Sequence, residues 1–309
     1  MTMSTVPRRK FLVHSAVATL GLTSKAFAQG LPRRSASRHN DTIKVLTHGP
    51  KHHFFGYYGI CPWNQSGRQL VCLECDAQDR MPRAGEAASI GLVDADSGRF
   101  TKVAETRAWN LQQGAMLHWN PCRGDEEIIY NDLVKGKIAS VVLDIHSGAK
   151  RILPGPVSAL SRDGKWALSL TYGRMGRLRK VVGYGAAEDP NPDDPAPAND
   201  GVFLMDLRTG KKTLIVTIAD VYERLAAKHP ALRGHHMWFN HTVFNKSATR
   251  FLFFARAYLS PGKRRHTAMF TAVRCDFHPR WNRTGDQICF DAIEPVQGTR
   301  QLHVASLKG

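Results

Sequence analysis

The chain has 309 residues, 42% of them hydrophobic, and a formal net charge of +17. That length and apolar content suffice for a buried core spread over one or two ordinary domains. The charge favours an anionic partner, but the basic residues are scattered and match no helix-turn-helix, zinc-finger or RNA-binding signature, which argues against nucleic acid.

The first 28 residues read as an export signal. Arg8, Arg9 and Lys10 make a twin-arginine start, residues 13–22 are mildly apolar, and Ala26-Phe27-Ala28 offers a cleavage site. The apolar run is too short and too rich in small residues for a permanent span, and no other stretch reads as transmembrane. Gln29 would open the mature chain, in the periplasm or outside the cell. Its net charge would be +13, because the signal carries Arg8, Arg9, Lys10 and Lys25 and no acid. Simple solubility would account for such a charge; for an exported protein, an acidic polysaccharide or an anionic cell envelope is the better-matched partner. Residues 29–43 are polar and basic, an unstructured lead-in to one domain over 44–309.

From there two strand-turn-strand signals alternate. An incoming hairpin, with apolar strands around an Asn/Ser/Gly turn, recurs at 61–74, 117–131, 158–170, 238–255 and 275–292. An outgoing hairpin carries Asp-x-x-Ser/Thr-Gly at its turn, at Asp94 to Gly98, Asp144 to Gly148 and Asp206 to Gly210. These turns fall 50 and 62 residues apart, a spacing that suits four-stranded β-propeller blades with insertions better than a β-sandwich. The fold class is therefore all-β, a propeller with five to six recognisable or partial blades. Residues 181–199 form a Pro/Asp-rich insertion and residues 219–228 a short helix. After residues 266–272 the expected outgoing turn is missing, and Val273 runs straight into the last hairpin. The ring is either a closed five-blade variant or one shortened by about two blades near Ala272 and Val273.

Of the six cysteines, Cys72 and Cys75 have CxxC spacing but lie in a strand-like run with no second pair. They read as small core residues rather than zinc ligands. Twin-arginine export carries proteins folded in the reducing cytoplasm, so no disulfide framework is expected.

In a propeller, the loops entering the innermost strands meet at the axis. Those loops carry His52, His53, Tyr57 and Tyr58 in the first blade, and Trp109, Gln112, Gln113 and His118 in the second. The fourth brings Arg233, His235, His236 and His241, and the fifth Arg274, Cys275, Asp276, His278 and Arg280. The third hairpin instead has Tyr172, Arg174 and Arg177 at its exit. Two chemistries fit such a cluster. Imidazoles with a Gln or Asp oxygen can hold Mn²⁺, Zn²⁺ or Ca²⁺, the first two matching nitrogen better. Alternatively, a His base, a Tyr acid and an Arg can act together on an anionic sugar. No HExxH, GxSxG or P-loop pattern is present, against protease, α/β-hydrolase and nucleotide-hydrolase readings, and no organic cofactor is implied.

The stretches His52-His53-Phe54-Phe55-Gly56-Tyr57-Tyr58-Gly59 with Cys61-Pro62-Trp63, Gln112-Gln113-Gly114-Ala115-Met116-Leu117-His118-Trp119, and Cys275-Asp276-Phe277-His278-Pro279-Arg280-Trp281 resemble the β-propeller polysaccharide lyases of the oligogalacturonate-lyase and ulvan-lyase type. The resemblance covers most of residues 44–309. It implies β-elimination of a uronate-containing polysaccharide, in a family whose members usually have seven blades. It also implies metal or carboxylate binding at Gln113, His235, His241 and His278. The base would be His118 or His53, the acid Tyr172, and the neutralising charge Arg174 or Arg256. A monomer is expected. The competing function is a non-catalytic periplasmic propeller that binds glycan or protein, a decayed lyase; a peptidase-accessory propeller would need a hydrolase domain that the sequence lacks.

Overall fold

The computed structural model of the protein describes residues 42–57, 59–259, 280–293 and 297–306. The expected export signal and the expected break near Ala272 and Val273 lie outside these residues.

Strand β1 (Thr42–Val45) starts within the stretch expected as a lead-in. The next four strands, β2 (His52–Phe54), β3 (Gln69–Cys75), β4 (Ala88–Asp94) and β5 (Phe100–Thr106), form an antiparallel sheet in chain order. A second such sheet holds β6 (His118–Trp119), β7 (Glu127–Val134), β8 (Lys137–Asp144) and β9 (Lys150–Leu153). A third holds β10 (Ala159–Leu160), β11 (Trp166–Ser169), β12 (Gly201–Asp206) and β13 (Lys212–Thr217). The fourth shows β14 (Met237–Phe244) and β15 (Phe251–Ala257) among the described residues. The fifth runs β16 (Arg280–Trp281), β17 (Gln287–Ile293), β18 (Arg300–Ser306) and then β1, with Lys44 opposite Val304. The N-terminal strand thus completes the C-terminal sheet, the device that ties the ends of a ring of blades. The fold is a β-propeller. Among the described residues two α-helices interrupt it, α1 (Tyr172–Leu178) and α2 (Ile218–Ala226). The second is the expected short helix, with Thr217 accepting from the Asp220 amide at 2.9 Å as its N-cap.

Period-two alternation places the core between blades. On β3, Leu70 and Cys72 pack toward the fifth blade with Cys289, Leu302 and Val304. Val71, Leu73 and Cys75 pack toward the second with Ile128 and Tyr130. Cys72 and Cys75 therefore sit on opposite faces of one strand and cannot share a metal.

The reading of residues 52–58 as an entrance loop needs correction. His52 to Phe54 form the innermost strand of the first blade, pairing His53 with Glu74 and Phe54 with Leu73. Burying Phe54 completely and pairing its backbone outweigh the polar look of the stretch. The described residues of the loop are 55–57 and 59–62, after which Trp63 rejoins β3 by a bridge to Leu70.

The outgoing turns form as their residue types dictate. Asp94, Asp144 and Asp206 accept from the amides of Ser97, Ser147 and Thr209 at 2.8, 2.9 and 2.8 Å. These bonds hold each carboxyl below its usual range. Gly98 and Gly148 occupy the same left-handed position, at φ of 72° and 73°. Their surroundings differ: a Cβ on Gly98 would collide with the Leu46 carbonyl oxygen beside β1, whereas one on Gly148 meets nothing within 4 Å. Gly148→Ala should cost only the left-handed penalty of about 1–2 kcal/mol. Gly98→Ala should cost at least twice that in urea unfolding, and equal costs would contradict the packing described at the closing seam.

Candidate active site

Three local devices build a site where the entrance loops meet. In the second blade, Asn110 Oδ1 accepts from the amides of Gln112 and Gln113 at 3.0 and 2.7 Å, curling that loop inward. From the fifth blade, Arg280 donates to the carbonyls of Ile60 and Tyr57 of the first, both at 2.7 Å, holding these two residues in place. In the fourth blade, the β14–β15 register shifts between Asn240 and Val243. His241 sits in that irregularity at φ 55°, a left-handed conformation that a non-glycine residue adopts only at a cost.

Tyr57, Gln113, Met116, Tyr172, Asn240 and His241 line the resulting cavity, whose free volume of about 10 Å³ has room for a single water. The Tyr57 hydroxyl lies 2.9 Å from His241 Nε2 and also contacts Nδ1, joining the first blade to the fourth. Burial, with the nearby Arg256 cation adding to it, pulls the His241 pKa down to about 4, so the ring is neutral at neutral pH. Phe254 meets the same ring edge-on at 5.4 Å, and the Arg256 guanidinium lies over Phe254 at 5.3 Å. Gln113 Oε1 and both side-chain polar atoms of Asn240 have no hydrogen-bond partner among the described residues, although these residues are only 3% and 1% exposed. Orphaned buried amides of this kind cost about 1–3 kcal/mol each unless water or ligand satisfies them. A neutral imidazole, a phenol, a nearby cation and open amide groups in one small cavity can take a proton, return one, and orient an anionic polar group.

Of the residues singled out in the sequence, Gln113, Tyr172 and His241 meet in this cavity, and Arg256 approaches His241. Tyr172 spends its hydroxyl on the Val157 carbonyl at 3.3 Å and stacks on Tyr184 at 4.3 Å; burial pushes its phenol far above its usual range. His53 lies in the seam between the first and fifth blades. There Gln301 Oε1 sits 2.8 Å from its Nδ1 and Glu74 Oε2 3.3 Å from its Nε2. His118, on β6, is enclosed with Nε2 unpartnered among the described residues, and burial alone drives its pKa to about 4. Neither histidine lines the cavity.

Arg174 is consumed by the scaffold. Its guanidinium donates to the carbonyls of Met237, Asn191, Asp194 and Pro195 at 2.7–3.1 Å, pinning the Pro/Asp-rich insertion. His235 follows a short turn outside the cavity, its amide bonded to Leu232. His278 lies outside the described residues. Tyr57 was visible in the first entrance loop but carried no role there, and Asn240 carried no signal at all.

The described residues do not make up the metal centre implied by the resemblance. Gln113 and His241 share the cavity, but His235 does not, and no group of three or more His, Cys, Asp or Glu side chains among the described residues could hold an ion.

No protein-family model matches the chain, and no curated protein matches it in sequence. Solved structures are similar in shape. An oligogalacturonate lyase from Vibrio parahaemolyticus aligns over 88% of this chain and 95% of its own at 9% identity and a TM-score of 0.48. TolB from Acinetobacter baumannii aligns over 86% of this chain and 57% of its own at 10% identity and 0.41. An oligogalacturonate lyase in complex with manganese aligns over 86% of this chain and 68% of its own at 13% and 0.27. The propeller itself rests on the strand order and pairing above.

The two depressed histidines have a measurable consequence. Their folded pKa of about 4 lies below the unfolded value of about 6.5. The unfolded chain therefore binds more protons between those values, and stability should fall as pH drops from about 6.5 toward 4. Urea unfolding at about pH 7 and 4.5 checks the sign, and His118→Gln should flatten the slope. A protein equally stable at both pH values would contradict the burial of these rings.

Proposed function

We propose that the protein is an exported lyase that cleaves a uronate-containing anionic polysaccharide by β-elimination. The observation that carries this reading is the Tyr57–His241 contact, 2.9 Å from hydroxyl to Nε2, with Arg256 beside the imidazole. β-Elimination needs a base for the proton next to the carboxylate, a positive charge to offset that carboxylate as the carbon acidifies, and an acid for the leaving oxygen. His241, neutral at neutral pH, takes the proton from the carbon that bears the carboxylate. The released electron pair forms the carbon–carbon double bond as the glycosidic carbon–oxygen bond breaks. Tyr57 protonates the departing oxygen, and the contact between the two side chains returns the proton from His241 to Tyr57. Arg256 supplies the positive charge, with no carboxylate within ion-pair distance among the described residues.

The base thereby moves from His118 or His53 to His241, the acid moves from Tyr172 to Tyr57, and of the two arginines Arg256 carries the neutralising charge. No step is routed through a metal. The twin-arginine start and the sequence resemblance support export and substrate class, and no helix among the described residues is long and apolar enough to cross a membrane. The small free volume favours a substrate that lies across the mouth of the cavity and inserts one polar group.

The test is to incubate the chain from Gln29 with polygalacturonate, ulvan and alginate, with and without divalent metal, and follow the absorbance of unsaturated uronates. Cleavage is expected on at least one polymer. Tyr57→Phe and His241→Gln should each cut it about 100-fold or more, while Tyr172→Phe keeps most of it. Glycan binding without unsaturated product across the panel would replace the lyase with the non-catalytic binding reading.

A further inference from the structure

A second opening lies on the outer rim, where the first and second blades meet. Lys102 and Glu105 of β5, Arg107 just after it, Asp132 of β7 and Lys150 of β9 line a groove of about 480 Å³. The axial cavity has room for one water; this groove has room for sugar rings. β5 is the outermost strand of its blade, three strand spacings or roughly 14 Å from the innermost strand, so the groove is separate from the Tyr57–His241 site.

Its charges are unequally spent. Lys102 and Glu105 pair with each other at 2.6 Å. Asp132 Oδ1 accepts from the amides of Arg107 and Leu133, both at 2.8 Å. Among the described residues, neither the Arg107 guanidinium nor the Lys150 ammonium has a carboxylate within ion-pair distance, and both side chains are exposed. Two exposed cations without a direct ion pair, Arg107 just after β5 and Lys150 on β9, line one groove and favour a ligand that carries repeated negative charges and hydroxyls. Arginine can take a carboxylate through two parallel hydrogen bonds, and lysine adds a mobile point charge.

We propose that this rim groove is an accessory binding site for an acidic polysaccharide, which Arg107 and Lys150 hold by its carboxylates while another part of the same chain lies across the axis. The choice of polymer rests on the proposed function, but binding is measured without turnover, so either can fail alone. The protein from Gln29 is run on native gels cast with polygalacturonate at low salt, alongside Arg107→Gln/Lys150→Gln. A control, Lys135→Gln/Arg162→Gln, loses the same net charge from exposed positions elsewhere.

The groove variant should lose about tenfold in affinity, or about 1.4 kcal/mol, the control less than twofold. Retardation of the unaltered protein should weaken as salt rises. Turnover of a disaccharide, too short to span both sites, should be unchanged if the lyase reading holds. Equal affinity for the groove variant and the control would overturn the assignment. So would double-stranded DNA retarding the protein as strongly as polygalacturonate, since the groove would then be an undiscriminating polyanion surface.

Discussion

The structure depends most on one buried ion pair at the seam where the ring is tied. Arg300 of β18 reaches Asp291 of β17 at 2.5 Å, and both side chains are fully buried. The same guanidinium donates to Gln78 Oε1 and the Leu111 carbonyl, each at 3.1 Å, and lies over the Phe54 ring at 4.5 Å. Three blades converge on one cation. Such a pair is a weak net stabiliser compared with an apolar replacement, because desolvating two charges offsets most of their attraction. Removing one partner alone is another matter, leaving a buried charge without its counter-ion. The pair is better understood as a registry device: it fixes how the fifth blade meets the first and where the Leu111 loop hangs.

That loop leads straight to Gln113, so the closing seam and the axial site are mechanically one assembly. Arg280, also from the fifth blade, holds the carbonyls of Tyr57 and Ile60. Tyr57 then reaches His241 across the axis. The site is locally costly, with His241 and Met116 at φ of 55° and 50° and the orphaned amides of Gln113 and Asn240 in the same cavity. Positive φ in non-glycine residues and unsatisfied buried polar atoms persist only where the surrounding structure over-determines them, and they concentrate at functional sites.

The blades were legible because their signals are local. An Asp that folds onto an amide three residues on, and a Gly at the left-handed position, declare a hairpin without any help from the rest of the chain. The convergence of entrance loops also followed, since it is a property of any propeller. The chemical roles did not. Arg174 resembled a substrate-facing cation, yet its partners are carbonyls of residues 191–195 and Met237, contacts that only the folded insertion creates. Tyr172 and Tyr57 are equivalent as sequence; the stack on Tyr184 and the bond to Val157 occupy the first, and Arg280 delivers the second. His241 and Asn240 reach the cavity through a strand irregularity without a sequence signature. His52 to Phe54 read as loop because polar and aromatic residues mark loops locally, whereas pairing with β3 is a long-range event.

In the proposed reaction, Tyr57 and His241, carried by different blades, face one substrate group with Arg256 at its carboxylate. The most direct measurement is a crystal structure of the slowed Tyr57→Phe protein with a bound oligouronide. A sugar should lie across the axial mouth, its carboxylate within hydrogen-bond distance of Arg256 and the adjacent C–H directed at a ring nitrogen of His241. An oligouronide bound only at the rim, or at the axis with its carboxylate turned away from Arg256, would contradict it.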